Sequence, residues 1–272
     1  MSKSRPRRAR VDPLSLVFTA AGALLVLFVV LPFAAVLLGI QPDLLWATVT
    51  DAEVQSSLGF TFYAGAWATL LALFTGVPLS YLLARREFPG KAWVEGLLNL
   101  PVVVPHTAAG IALLMVFGRE AALGKLFGGA GITFTDEFPG VVVAMLFVSL
   151  PFLVSAAREA FARIDPELEL MAETLGATRW QAFRYVTLPL AWRGVAAGAL
   201  MMWGRGISEF GAVVIIAYQP KVIPIVVYER FSGFGLAAAQ HVSVLLILAS
   251  LLVFVLVQVL LAGFARVVAA EA

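Results

Sequence analysis

The segment Asp165–Ala191, DPELELMAETLGATRWQAFRYVTLPLA, is a polar, helix-forming insert between two long apolar runs. Asp165 followed by Pro166 predicts a helix start, because an acidic cap and a proline in the first turn suit a helix N-terminus. Gly176 predicts the end of this helix, since glycine is the usual residue just after a helical C-terminus. Between them, apolar residues recur at helical spacing and form one stripe: Leu168, Met171, Ala172 and Leu175.

A second short helix is predicted directly after Gly176. Thr178 and Gln181 have the three-residue spacing of a capping box, in which each end of the pair satisfies a free backbone donor. We expect Leu188–Pro189 to stop this helix, because a proline interrupts the helical hydrogen bonds. A capped helix-turn-helix between two apolar runs indicates a surface that docks to a protein in solution; the alternative is an ordinary amphipathic loop.

This segment resembles the EAA signature of ATP-binding-cassette importer permeases: Glu-Ala-Ala, three residues, Gly, nine residues, Ile-x-Leu-Pro. Leu170, Met171 and Val186 depart from the signature residues at their positions. The resemblance implies that residues 158–192 form a coupling loop, which in the family sits in a cleft on the ATPase subunit. The coupling residues that it indicates are Glu169, Ala172, Glu173, Gly176, Ala177, Leu188 and Pro189.

The composition places the chain in a bilayer. Hydrophobic residues make up 61% of the 272 residues and charged residues only 13%, with a mean hydropathy of +0.95, whereas soluble domains are about half apolar and a quarter charged. The chain has no cysteine, which excludes disulfides, thiol nucleophiles and iron–sulfur ligation.

Apolar runs long enough to cross a bilayer, about 20 residues each, predict six transmembrane helices near 14–38, 57–84, 97–117, 139–157, 193–217 and 238–264. We therefore expect an all-α integral membrane protein, with a basic tail over residues 1–13 and one permease domain over 14–268. The first run is too long for the core of a signal peptide, so we interpret it as a retained helix.

The distribution of basic residues predicts the orientation. Most Lys and Arg residues outside the spans fall on the side of the N-terminal tail, and only Arg119, Lys125, Lys221 and Arg230 fall on the other. By the positive-inside rule, both termini and the 158–192 loop are expected in the cytoplasm of a multi-pass protein of the cell membrane. The external segments 39–56 and 118–138 are too short for a binding domain, so solute capture would need a separate external protein.

Two charged residues lie within the fifth predicted span. Arg205 is costly there, about 2.5–3.5 kcal/mol on insertion scales, and Glu209 follows one helical turn later, so the two side chains can share a face. They are interpreted either as an ion pair that packs the bundle or as a polar lining of an anion pathway. Three further polar candidates for these roles are Ser208, His106 and Thr107. For His106 a packing role is favoured, because no cluster with metal-ligand spacing accompanies it.

Further segments resemble permeases for tetrahedral oxyanions. The fifth-span segment 203–212, WGRGISEFGA, and the segment 101–110, PVVVPHTAAG, resemble the sulfate and molybdate/tungstate group as a whole, while His106 and the segments 141–151 and 227–231 resemble its tungstate/molybdate branch most closely. The resemblance implies an importer for tungstate or molybdate, with sulfate or thiosulfate as the alternative. It also implies a homodimer, two ATP-binding-cassette ATPase subunits that bind ATP and Mg, and an external substrate-binding protein.

The sequence offers no catalytic constellation. The glycines of Gly128–Gly131 lack the Lys-Ser/Thr of a phosphate-binding loop, and neither a Gly-x-Ser-x-Gly elbow nor an HExxH motif is present. We therefore expect a translocation subunit without cofactors, metal or nucleic-acid partners, and not an enzyme. An ion-coupled secondary carrier is the alternative from another class, but it leaves the 165–191 segment without a purpose.

Overall fold

The computed structural model describes residues 13–270, with side chains described through Val259, and every regular element in this range is helical. The helices are α1 (Pro13–Leu38), α2 (Pro42–Thr50), α3 (Ala52–Arg85), α4 (Lys91–Val103), α5 (His106–Phe117), α6 (Ala122–Gly128), α7 (Phe138–Ala162), α8 (Glu167–Thr174), α9 (Arg179–Ala182), α10 (Leu188–Ile207), α11 (Val213–Ile216), α12 (Ile223–Phe234) and α13 (Leu236–Ala270). A π-helix, Phe183–Thr187, joins α9 to α10. The all-α prediction is confirmed for this range.

The chain divides into two compact units, Met1–Ala47 and Thr48–Ala272. In the first unit, α1 coincides with the predicted first span, has a hydropathy of 2.8 and contains no buried residue. Such a uniformly apolar exposed helix is suited to a hydrocarbon solvent. Apart from Pro13, the predicted basic tail lies outside the described residues.

Within the described residues, four helices are long and apolar enough to cross a bilayer: α1, α3, α7 and the Leu236–Val259 part of α13. The helices α4 and α5 pass the same test only as a pair, bent by 117°. The helix α10 has 20 residues, but it is not among these candidates. Arg193 and Arg205 lower its mean hydropathy.

The predicted third and fifth spans are therefore not continuous helices. In the third, 97–117, the chain leaves the helical conformation at Val104, whose ψ is 135°, because the following Pro105 disfavours a helical residue before it. In the fifth, 193–217, α10 ends at Ile207, and a turn leads into the short helix α11. Hydropathy stays high across both breaks and so does not reveal them.

The second unit is built on close packing of α7 against α3 and α10. Buried apolar residues, many of them alanines, fill these interfaces, among them Ala64, Ala68, Ala72, Met145, Leu153, Ala157 and Met202. Gly194 and Gly198 of α10 face α7, where an added Cβ would lie only 2.4 Å from Ala160 Cβ and 2.8 Å from Ala156 Cβ, respectively. This spacing of small residues on both helices lets their backbones approach closely, as is common in membrane bundles.

An ionic cluster joins α12 to the first turn of α3. Lys221 Nζ lies 2.9 Å from Glu53 Oε1 and 2.7 Å from Glu229 Oε2, and Arg230 Nη2 lies 2.8 Å from Asp51 Oδ2. Asp51 also caps α3 by accepting the backbone N–H of Glu53. The cluster fixes the segment after α11 against the start of α3.

Candidate functional site

The loop between α7 and α10 folds as a capped helix-turn-helix. Asp165 Oδ1 accepts the backbone N–H of Glu167 at 2.9 Å, and Gly176, two residues after the end of α8, has a φ of +95°. There Gly176 N donates to Glu173 O and Ala177 N to Ala172 O, both at 3.0 Å, which is the Schellman pattern of a glycine-terminated helix. The predicted start and end of this helix are confirmed.

The second short helix begins as predicted but does not end where predicted. Thr178 and Gln181 form both bonds of a capping box. The prediction that Leu188–Pro189 stops the helix is wrong, because α9 continues through the π-helix into α10. Leu188 N donates to Phe183 O, five residues earlier. This wider turn places Pro189 in the first turn of α10, where a missing N–H is tolerated.

The loop presents an apolar surface. Leu168, Met171 and Leu175 of the predicted stripe are exposed, Leu175 to 88%. Leu170, Trp180 and Tyr185 are exposed as well, whereas Ala172 and Ala177 are half-buried. Large apolar side chains gathered on a short, well-capped structure are typical of a protein-binding surface.

Glu169 points away from this surface and into the bundle. Its Oε1 accepts from Arg85 Nε at 2.9 Å and from Thr187 Oγ1 at 2.7 Å, and its Oε2 accepts from Tyr81 OH at 2.8 Å. Arg85 Nη1 also donates to Ile164 O at 2.9 Å. Only 9% of the Arg85 side chain and 13% of the Glu169 side chain are exposed, so this is a nearly buried, multiply bonded ion pair.

The surroundings of Glu169 favour its charged form. Burial raises the pKa of Glu169, but the hydrogen bonds from Thr187, Tyr81 and Arg85, with the charge of Arg85, outweigh burial and lower the pKa below the ordinary carboxyl value. Glu173, by contrast, has only a long ion pair, 3.9 Å from Arg179 Nε. Glu169 and Glu173, two of the three acidic residues of α8, thus occupy different environments.

A second polar cluster lies at the two helix breaks. Arg205, in the last turn of α10, donates from Nη2 to Glu209 Oε2 at 2.8 Å, which confirms the predicted proximity of these two side chains. The same Nη2 lies 2.8 Å from His106 Nε2 at the start of α5. Glu209 is buried and its Oε1 accepts the backbone N–H of Ala212, whereas the side chains of Arg205 and His106 are 24% and 42% exposed.

Close backbone packing holds these breaks together. A Cβ added at Gly211 would lie 2.8 Å from His106 Cβ, and one at Gly110 would lie 2.8 Å from Ala212 O. Ser208 Oγ lies 3.4 Å from Arg205 Nη1, and Thr107 is exposed beside His106. The predicted polar candidates therefore come together in one place, where the α4–α5 bend meets the α10–α11 turn.

Sequence reasoning missed the partners of Glu169. Tyr81 and Arg85 are more than 80 residues away in the chain, and Thr187 is 18 residues away. Likewise, nothing in the sequence pairs His106 with Arg205. A buried contact between distant polar residues leaves no periodic pattern, so one sequence carries no signal for it. Across the described residues, no group of three or more acidic or histidine side chains could hold a metal ion.

Comparison with known proteins identifies the family. The family described as binding-protein-dependent transport system inner membrane component matches residues 76–269. The molybdate/tungstate transport system permease protein WtpB of Thermococcus kodakarensis is 39% identical over 243 residues, which cover 89% of this chain and 93% of that protein. The protein of the same description from Pyrococcus furiosus is 40% identical over 251 residues, covering 92% and 96%.

A more distant relative and two solved structures extend the comparison. The sulfate transport system permease protein CysT of Escherichia coli is 31% identical over 225 residues, 81% of each chain. A bacterial ABC transporter that imports the polysaccharide alginate shares the fold with a TM-score of 0.73 at 16% identity, covering 91% of this chain and 94% of the other. The MetNI methionine ABC transporter gives 0.56 at 20% identity, covering 86% and 100%.

The fold is that of ABC transporter permeases. The chain belongs to the family of inner-membrane components of binding-protein-dependent transport systems, and the resemblance to oxyanion permeases seen in its sequence is confirmed. Members of this family are translocation subunits, so the chain is a membrane transport component and not an enzyme.

Proposed function

We propose that this chain is the permease subunit of an ATP-driven importer for molybdate or tungstate. The observation that carries the proposal is the 39–40% identity to molybdate/tungstate permeases over about nine-tenths of the chain. Sulfate or thiosulfate is the second candidate, supported by the 31% identity to a sulfate permease.

Uptake by the reconstituted transporter tests this proposal. The permease, its ATPase and its external binding protein are placed in liposomes, and uptake of labelled tungstate, molybdate and sulfate is measured with and without ATP. ATP-dependent uptake of tungstate or molybdate at concentrations where sulfate is ignored supports the proposal. Uptake driven by an ion gradient without ATP would support the secondary carrier instead.

We place the chain in the cell membrane with six crossings. In this arrangement the bent α4–α5 pair and the broken α10–α11 segment supply the third and fifth crossings, and both termini and the 158–192 loop are cytoplasmic. The excess of basic residues on that side supports the orientation. Because the chain has no cysteine, the variants Trp180→Cys, in the loop, and Lys125→Cys, in the external segment, can each be treated with an impermeant thiol reagent in intact cells. Only Lys125→Cys should be labelled.

The proposed assembly contains a second copy of the chain, two ABC ATPase subunits that bind ATP and Mg, and an external binding protein. The exposed apolar surface of the 165–191 loop supports ATPase docking there. Exposed Leu, Met and Trp side chains that lie together are typical of a surface that a partner protein buries. ATP binding would draw the two loops together and turn the spans outward, and hydrolysis would reset them. The loop needs to bias a bistable bundle by only a few kcal/mol.

The cluster at the helix breaks is proposed to have two roles. Buried Glu209 packs the bundle, because it ties Arg205 to the turn that ends at Ala212. The partly exposed Arg205 and His106, with Ser208 and Thr107 beside them, offer weak polar contacts to a passing anion. Conduction needs contacts that also release the ion. A correctly folded Arg205→Ala chain that no longer supports uptake would favour this pathway role; one that transports normally would exclude it.

A further inference from the structure

The Glu169 carboxylate is the point where four parts of the cytoplasmic end of the bundle meet. It belongs to α8 and binds Tyr81 and Arg85 in the last turns of α3 and Thr187 at the junction with α10. Through Arg85 it also reaches Ile164 O, just after α7. Phe183 also packs against separate helices, through Tyr81, Phe161 and Trp180, but Glu169 makes its contacts through hydrogen bonds and an ion pair.

The Glu169 carboxylate is not accessible to a partner protein. Both of its oxygens already accept hydrogen bonds, and its side chain is almost entirely covered. The apolar stripe of Leu168, Met171 and Leu175 lies on the outer side of the same helix. A partner protein that covers the stripe would therefore touch α8 without reaching the Glu169 carboxylate.

The hydrogen bonds of Glu169 join α8 firmly to α3 and to the start of α10. Four charge-assisted or hydroxyl hydrogen bonds act on one buried ion pair, and such bonds are short and strongly directional. Without Glu169, α8 is joined to the rest of the chain through its two ends, through the 3.9 Å ion pair of Glu173 with Arg179 of α9, and through half-buried Ala172. A push on α8 would then bend these connections rather than displace α3 and α10.

We propose that Glu169 is a positioning residue that transmits movement of α8 to the cytoplasmic ends of α3 and α10. It is a mechanical link inside the permease and not a contact with the ATPase. The proposal rests on the ATPase docking proposed above, because that docking supplies the movement. Without this link, the ATPase still binds the loop, but movement of α8 no longer displaces the transmembrane helices.

The test compares Glu169→Ala and Glu169→Gln with a matched control, Glu167→Ala, an exposed acidic residue two positions away on the same helix. The complex of permease, ATPase and binding protein is assembled in nanodiscs. Three quantities are measured: ATPase association, stimulation of ATP hydrolysis by the loaded binding protein, and ATP-driven movement of α3. Movement is followed as the distance between spin labels on Phe88→Cys in the two copies, in a chain that has no other cysteine.

We expect the Glu169→Ala permease to bind the ATPase like the control. Its stimulation of ATP hydrolysis by the loaded binding protein should be at least tenfold smaller, and the distance between the spin labels should not change with ATP. Glu169→Gln keeps the side-chain size and should fold even if the alanine variant does not, with an intermediate loss. A normal label movement in a folded Glu169 variant would overturn the proposal, as would loss of ATPase association in that variant alone. If the unmodified chain fails to bind the ATPase, the docking proposal itself is wrong.

Discussion

Gly176 gives the sharpest test of the loop, because its backbone conformation alone determines the cost of substitution. Its φ of +95° is in the left-handed region, and a Cβ added there meets nothing within 4 Å. A substitution therefore causes no clash with neighbours, and its whole effect is the backbone penalty, about 1–2 kcal/mol for a residue other than glycine. A β-branched residue lies at the upper end of this range.

The expected consequence of Gly176→Val is a distorted α8–α9 turn and weaker ATPase binding. A cost of about 1–2 kcal/mol corresponds to about 5–30-fold in the equilibrium constant. The measurement is a titration of the ATPase subunit onto permease in nanodiscs, at fixed salt. Membrane insertion should be unchanged and uptake should be lost. Insertion is compared by the yield of folded permease.

The matched control at this position is Gly176→Asn. Asparagine adopts the left-handed conformation far more easily than valine, so it should bind the ATPase almost like glycine. The reasoning would be refuted if valine bound normally, since the left-handed turn would then be irrelevant to docking. It would also be refuted if asparagine were as damaging as valine, since the effect would then come from the side chain and not from φ.

Three further predictions follow from the two polar clusters. The change Arg205→Ala should destabilise the chain by about 3–5 kcal/mol, because it leaves the charge of buried Glu209 without its partner. Glu209→Ala should cost less, because the Arg205 side chain is 24% exposed. The double change should cost less than the sum of the single changes in thermal unfolding, and strict additivity would argue against the pair. The pKa of Glu169 is lowered from its ordinary value of 4.5 in the folded chain. The charged carboxylate should therefore stabilise the fold fully above pH 4.5, and this stabilisation should be lost as the pH falls below that value. Thermal stability measured from about pH 7 to about pH 3 should show this loss in the unmodified chain and not in Glu169→Gln. Purified permease alone should show no submicromolar binding of labelled tungstate or molybdate in equilibrium dialysis. The reason is that the guanidinium of Arg205 is already bound to Glu209 and His106. Tight stoichiometric binding would contradict a pathway of weak contacts.

The parts of the structure that depend on neighbouring residues could be predicted from the sequence. The cap at Asp165, the left-handed Gly176 and the capping box of Thr178 each involve residues a few positions apart. Their hydrogen bonds are set by local backbone geometry, which is why the amino-acid types alone indicate them. The spans that became α1, α3, α7 and α13 were likewise visible, because long apolar runs have few alternatives in a bilayer.

The breaks and the polar contacts could not be predicted in the same way. Hydropathy averaged over about 20 residues does not distinguish a straight helix from α4 and α5 bent by 117°. The prediction that Pro189 stops the helix is wrong because the π-helix places Pro189 in the first turn of α10. Thr187 of this π-helix bonds to Glu169, 18 residues earlier, and a contact over that distance leaves no local sequence pattern. Tertiary contacts of this kind override local rules.

The π-helix at Phe183–Thr187 has a consequence for how the gene can vary. A π turn accommodates one residue more than an α turn, and each residue of an α-helix accounts for about 100° of rotation. Deleting one residue from this stretch would restore a regular α-helix and swing the whole α8–α9 hairpin around the axis of α10. Glu169 would lose Thr187, and the apolar stripe would face a new direction. Exposed loops normally tolerate length changes, but here the number of residues is itself under constraint.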